Sequence, residues 1–318
     1  MATTTATPPR TLRRKRTLAS YWRQYVSIAP FYLLFAGFAI FPLFYAMYLV
    51  TQSWDGLGPT EFVGFDQIIR LVTDGEFLLA LFNTVIIFLF AQVPVVVGAL
   101  VAAYLLSRPG IRAKGFYQTL IFLPQVTSLV AVAIVFQSLF SDNFGIINKL
   151  IELVGLPPIP WMSNPWLIKV VIALTIIWRS LGYFMVVFLS GIAAIPRELD
   201  EAALIDGAGA ARTFWSITLP MLRPTIIFVV ITGTISGFQV FAEPQVLFNQ
   251  TGGTGGPGNA ALTLMLLQTE YIGGANISVV PDLGYATAVG WGIFIILILL
   301  AAFNSRLLRL TASTEGSE

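Results

Sequence analysis

The chain has no cysteine and no histidine. That excludes disulfides, thiolate nucleophiles, imidazole acid–base chemistry, histidine proton relays and the Cys/His clusters that hold zinc. Charge is scarce as well. Asp, Glu, Lys and Arg make up 11% of 318 residues, where a soluble domain carries about 25%. The net charge is +2, so no strongly basic surface calls for nucleic acid. What remains is apolar: 56% of the residues are hydrophobic. This composition is that of an integral membrane protein.

The first residues, "MATTTATPPRTLRRKRTLASYWRQYVS", are polar and basic and read as a disordered tail over 1–24. Arg13 and Arg14 resemble a twin-arginine export signal. The apolar run that follows is too long for a signal core, and no A-x-A cleavage site comes after it. The tail therefore reads as cytoplasmic. A membrane helix needs about 20 apolar residues. Six stretches qualify: about 29–51, 77–106, 116–140, 166–194, 225–248 and 283–304. Together they predict an all-α membrane domain over 25–310, followed by a short cytoplasmic tail, 311–318.

Lys and Arg set the orientation. The tail before the first span holds Arg10, Arg13, Arg14, Lys15, Arg16 and Arg23. The connections then alternate between basic and poor in basic residues. Segment 52–76 has only Arg70, 107–115 has Arg108, Arg112 and Lys114, and 141–165 has only Lys149. Segment 196–224 has Arg197, Arg212 and Arg223, 249–282 has none, and the C-terminus has Arg306 and Arg309. Both termini are expected in the cytoplasm, with the 196–224 loop on the same side. The Gly-rich "NQTGGTGGPGN" (249–259) lacks the Lys-Ser/Thr of a phosphate-binding loop and falls on the opposite side. Trp161, Trp166 and Trp291 are expected to anchor at the membrane interface.

"ELDEAALIDGAGAARTFWSITLP" (198–220) carries four acids and one Arg in a setting of small residues. Pro196 suits a first helical turn. Glu198, Asp200 and Glu201 then fall at the positive end of the helix dipole. Gly207 is placed to end that helix in a left-handed conformation. A second short helix is expected over Ala211–Thr218, stopped by Leu219-Pro220. An interfacial helix would show Lys/Arg above bulky apolar residues. Here the polar residues are mostly acidic and the apolar ones small, which suits insertion into another protein's cleft.

"EAALIDGAGAARTFWSITLP" resembles the EAA loop of permease subunits of binding-protein-dependent ABC importers. Glu201-Ala202-Ala203, Asp206-Gly207-Ala208, Phe214, Ile217 and Leu219-Pro220 carry the match. "FVGFDQI" (62–68), "NTVIIF" (83–88), "FLPQVTSLVAVAIVFQSLFSDNFGIIN" (122–148), "TGGTGGPGNAALTLM" (251–265) and "GYATAVG" (284–290) extend it over about 25–305. The chain is most similar to the first permease subunit of carbohydrate uptake systems, the maltose and glycerol-3-phosphate kind. The resemblance implies the type I importer permease fold of six transmembrane helices with a cytoplasmic coupling helix, in a prokaryotic plasma (inner) membrane. It implies a second permease in a heterodimer, an ATPase subunit dimer and an external sugar-binding protein as partners. It implies no enzymatic activity and no cofactor in this chain, ATP and Mg being bound by the ATPase. Glu201, Ala202, Ala203, Asp206, Gly207, Leu219 and Pro220 would then couple to that ATPase. Ala202 and Ala203 would keep the helix thin enough to enter its groove. Gly207→Val should leave the spans folded and uncouple hydrolysis from transport.

Polar side chains inside spans are costly and face a cavity or a partner helix. Arg179 lies halfway along the fourth span, and Tyr183 is one turn on. Gln125, Gln137, Gln239 and Glu243 are candidate partners for Arg179, and Ser236 shares a face with Gln239. In the resembled family a sugar is held about halfway across by such residues. Gln125, Arg179, Tyr183, Ser236, Gln239 and Glu243 are therefore the expected substrate path. A purely structural Arg179–Glu243 pair is the competing reading. Gly233 and Gly237 form a small-xxx-small pair expected to pack closely against another helix, with one of the second permease as a candidate. A permease for a sugar phosphate or phosphodiester stays open because of Arg179, and so does an ion-coupled secondary transporter.

Overall fold

A computed structural model describes residues 22–108, 110–248, 255–274 and 280–313. Most of the basic tail, the first part of the Gly-rich loop and the last five residues lie outside the described residues. The chain divides into two units, residues 1–49 and 50–318.

In the first unit, α1 (Trp22–Phe35), a π turn (Ala36–Ile40) and α2 (Phe41–Leu49) form a continuous apolar run. The π turn has a cause in Pro42. Proline lacks an N–H, and its ring presses on the carbonyl four residues back in a regular helix. A wider turn, closed by the Phe41 N–H donating to the Ala36 carbonyl, accommodates it. No side chain of its span, Tyr25–Leu49, is buried.

The second unit opens with a small antiparallel pair, β1 (Gln52–Ser53) with β2 (Glu61–Phe62), and the short helix α3 (Asp66–Thr73). Asp74 then caps α4 (Gly75–Ser107), accepting from the Glu76 N–H over 2.9 Å. This long helix passes Pro94 without a break. Next come α5 (Lys114–Val126) and α6 (Leu129–Leu139), bent by 95° at their junction. The straight third span expected over 116–140 is thus corrected to a broken one. Pro124 removes one helical donor, and the Thr127 hydroxyl turns back to donate to the Leu123 carbonyl over 3.0 Å. Thr127 and Ser128 are then extended.

After α7 (Ile146–Leu153), Asn164 caps α8 (Pro165–Ala193), with Pro165 in its first turn. The loop helix α9 (Arg197–Ile205) follows. Then α10 (Ala210–Thr213), a π turn (Phe214–Thr218) and α11 (Leu219–Met221) run together. The expected stop at Leu219-Pro220 does not occur. As at Pro42, the turn before the proline is wound wide, the Leu219 N–H reaching the Phe214 carbonyl. The fifth span is α12 (Arg223–Phe238) and α13 (Ala242–Phe248), with a break at 239–241. Last come α14 (Leu264–Tyr271) and α15 (Leu283–Ser313).

Among the described residues, five helices are long and apolar enough to cross a membrane, and the bent α5–α6 pair makes a sixth. At the centre of the second unit α4 and α8 run parallel, with Phe82 beside Trp166 and Gly98 against Leu181. The antiparallel α12 packs on α4 through glycines. A Cβ at Gly237 would meet the Phe88 ring at 2.5 Å, and one at Gly233 would meet the Gln92 amide at 1.9 Å. The close packing at Gly233 and Gly237 is therefore made within this chain, against α4, and not against a second permease.

The end of the unit that holds β1 and the start of α4 is tied by buried polar groups. The Asn83 amide donates to the carbonyls of Asn259 and Leu262 at 2.8 and 3.0 Å. The Leu264 N–H donates to the Thr84 hydroxyl over 3.0 Å. A Cβ at Gly284 would strike the Gln52 carbonyl at 1.9 Å, so only glycine lets α15 start against β1. Arg70 pairs with Asp282 at 2.9 Å and lies 3.9 Å over the Tyr285 ring. Tyr285 donates to Asp74. The sequence motifs 83–88 and 251–265 thus meet at one set of bonds. Trp161 belongs to a neighbouring clasp. Its indole N–H donates to Asn148 over 3.0 Å, and its ring packs edge-on against Phe140. It is a loop staple and not the interface anchor expected.

Candidate functional site

Midway along the bundle lies a cavity of about 640 Å³, within the ~300–1,000 Å³ range of small-molecule sites. Both interruptions of the spanning helices open onto it: Gln125 and Leu129 flank the α5–α6 bend, and Gln239, Val240 and Phe241 form the α12–α13 break. Irregular backbone at membrane depth is tolerated where it lines a cavity.

Gln125, Arg179, Tyr183, Ser236, Gln239 and Glu243, chosen from sequence, all line this one cavity. Among the described residues, Arg179 and Glu243 are its sole charged lining residues. They are bonded to each other, Nη1 to Oε1 at 2.9 Å, with 28% and 11% of their side chains exposed. The Arg179 Nε–H is buried without an acceptor. Tyr183 stands one turn beyond Arg179 on α8, edge-on to Phe184. Gln137 does not reach this place. Its amide donates to the Leu247 carbonyl over 3.2 Å, joining α6 to α13.

The sequence reading missed Gln92, Ser180 and Thr232, which also line the cavity. Gln92 was legible. It is an amide in the middle of an apolar span, and such a group needs a reason. Its Nε2 is buried without a partner, wedged beside Gly233. Ser180 and Thr232 gave no such signal, since a hydroxyl inside a helix can bond to its own backbone.

The second place of interest is the loop between α8 and α12. Gly207 has φ +71° and ends α9. The Gly207 N–H donates to the Leu204 carbonyl and the Ala208 N–H to that of Ala203, at 3.1 and 2.8 Å. Glu201, Ala202 and Asp206 are exposed. Leu204 and Ile205 are 72% and 87% exposed. Ala203 differs from the expectation: it is only 6% exposed, covered by its own chain. Its small side chain seats α9 and does not present itself to a partner's groove. Leu219 and Pro220 are half-buried in the stretch that leads to α12. Behind them Leu222 is fully buried, where Gly191 of α8 approaches Leu222 and Thr225 too closely for any side chain.

The bundle thus combines a cavity lined by broken helices with an exposed two-helix loop at one end. Residues 94–309 match the family model described as "Binding-protein-dependent transport system inner membrane component". The chain belongs to this family. It is 38% identical over 277 residues to a lactose transport system permease protein of Rhizobium radiobacter, covering 86% of this chain and 90% of that one. It is 30% identical over 280 residues to an arabinooligosaccharides transport system permease protein of Halalkalibacterium halodurans, covering 87% and 84%. The fold matches a solved membrane chain of a bacterial alginate ABC transporter, crystallised with an alginate pentasaccharide-bound periplasmic protein. The TM-score there is 0.76 at 20% identity over 92% of this chain and 96% of that one. The architecture is therefore that of an ABC transporter permease, a membrane subunit.

Proposed function

We propose that this chain is one of two membrane subunits of an ATP-driven importer of neutral di- or oligosaccharides. The observation that carries this reading is the cavity. Its polar lining is amide, hydroxyl and phenol, and its one cation and one anion neutralise each other. Such a surface matches a polyhydroxylated, uncharged ligand, with Tyr183 and Phe241 offering ring faces to a pyranose. A sugar phosphate or phosphodiester would bring its anion beside the Glu243 carboxylate that already neutralises Arg179, which disfavours it. The ion-coupled alternative loses its one credible carboxylate, because Glu243 is already paired. The transport of lactose and of arabinooligosaccharides by related systems supports a saccharide.

Ser236 on α12 and Gln239 in the break that follows remain exposed at membrane depth. Exposed polar groups there need cover, which a second permease closing the other half of the path supplies. The exposed α9, with Leu204 and Ile205 protruding, is the contact for an ATPase subunit. ATP and Mg bind on that separate chain. The alternation of basic connections puts both termini and α9 in the cytoplasm. An external binding protein delivers the sugar.

The test is co-expression with the cognate second permease and ATPase, followed by reconstitution with the binding protein and ATP inside the vesicles. Uptake of a labelled neutral saccharide that stops without ATP is expected. Uptake driven by an ion gradient alone, or of anionic sugars only, would overturn the reading.

A further inference from the structure

At the far end of α4 three contacts converge on Tyr104. Its hydroxyl donates to the Ala210 carbonyl over 2.7 Å. The Arg108 Nη2 donates to the Tyr104 hydroxyl oxygen over 2.6 Å, and its guanidinium carbon lies 4.7 Å from the Tyr104 ring centre. The Tyr104 ring is 4.5 Å from that of Phe214, tilted by 55°. Ala210 and Phe214 are one helical turn apart and share a face. Tyr104 thus grips the loop at two points. The Ala210 carbonyl also accepts the Phe214 N–H, and its second lone pair serves Tyr104.

This grip is mechanically connected. Ala103 and Leu106, on either side of Tyr104, are buried among Phe184, Met185 and Phe188 of α8. Twelve residues back along α4, about 18 Å at 1.5 Å per residue, Gln92 lines the cavity, and the helix is unbroken between them. Among the described residues no side-chain hydrogen bond joins α9 itself to a spanning helix. The α9 helix is therefore held by the packing of Ala203 and not by side-chain hydrogen bonds, and the 210–214 stretch is where the loop is bonded to a spanning helix.

We infer that Tyr104, steadied by Arg108, is the positioning residue that passes displacement of the 197–222 loop to the cavity wall through α4. The inference rests on the importer reading above. Tyr104→Phe keeps the ring contact with Phe214 and removes the hydroxyl.

The assembled transporter with its ATPase, second permease and binding protein is the sample for the first test. Sugar taken up per ATP hydrolysed should fall several-fold in Tyr104→Phe and further in Tyr104→Ala. Basal hydrolysis and co-purification of the subunits should stay at the wild-type level. Arg108→Lys, which keeps a donor, should stay near wild type, and Arg108→Met should behave like Tyr104→Phe. Wild-type uptake per ATP in Tyr104→Phe overturns the inference.

Hydrogen exchange on the full chain in nanodiscs gives a second readout that needs no ATPase. Tyr104→Phe should speed exchange in 210–218 and in 88–95 together. A change confined to 210–218 means a merely local hydrogen bond and also overturns the inference. A wild-type chain that associates with no ATPase refutes the importer reading instead, and the exchange result then decides the mechanical link separately.

Discussion

Arg179 on α8 and Glu243 on α13 are joined at 2.9 Å on the wall of the cavity. The bond therefore ties α13, the part of the fifth span beyond its break, to the unbroken α8. Removing one member leaves the other charge buried and unpaired, at a cost of about 3–5 kcal/mol. Arg179→Met and Glu243→Leu should each lower the melting midpoint strongly. The double variant should lose much less than the sum. Additive losses in thermal unfolding would show that the two side chains do not act as a pair.

Gly233 is the floor beneath Gln92. A Cβ there would meet the Gln92 amide nitrogen at 1.9 Å. Gly233→Ala should push that side chain into the cavity and raise the sugar concentration needed for half-maximal uptake. Gln92→Ser in the same chain should restore space. The check is a comparison of uptake curves for the single and double variants, and an unchanged curve for Gly233→Ala would refute the account.

Asn83 is fully buried and donates to two loop carbonyls. Asn83→Ala orphans both, for a loss of about 1–3 kcal/mol. Asn83→Asp should be worse, since a carboxylate would face two carbonyl oxygens with nothing to donate. Melting midpoints in the order wild type, Ala, Asp are the expected result.

The Tyr271 phenol is pushed above its usual value of 10.0 by burial first and then by the Glu76 carboxylate, with the Arg70 cation pulling the other way. The folded chain holds this proton more tightly than the unfolded one. Its contribution to stability is thus complete below about pH 10 and lost as pH rises through the folded value. Melting measured in alkaline buffers should decline above about pH 10, and Tyr271→Phe should flatten that part of the decline.

Most of the spans were legible because apolar runs of about 20 residues admit few other readings. The breaks were not. Pro124 signals a disturbance in the third span but not a 95° bend at Thr127-Ser128, and nothing local in the sequence marks the end of α12 at Phe238. Gln125, Arg179, Gln239 and Glu243 were findable since a charge or an amide is anomalous inside a span, and Gln92 fits the same rule, whereas Ser236 and Tyr183 were reached only through their neighbours Gln239 and Arg179. The wide turns ahead of Pro42 and Pro220 show the opposite limit. A proline in a pattern announces a disturbance and does not say whether the helix ends or simply loosens by one residue. Ala203 reads the same on either face of a helix, so its burial could come only from coordinates.

The second unit is fastened unevenly. At one end Asn83, Thr84, Gly284, Arg70 and Tyr285 bind four stretches of chain into a block. At the other, the loop beyond α9 hangs on Tyr104 and on the buried Leu222. A body clamped at one edge and lightly held at the opposite edge turns like a door on its hinge, so a modest shove at the free edge sweeps the middle, where the cavity lies, through a smaller and better controlled arc.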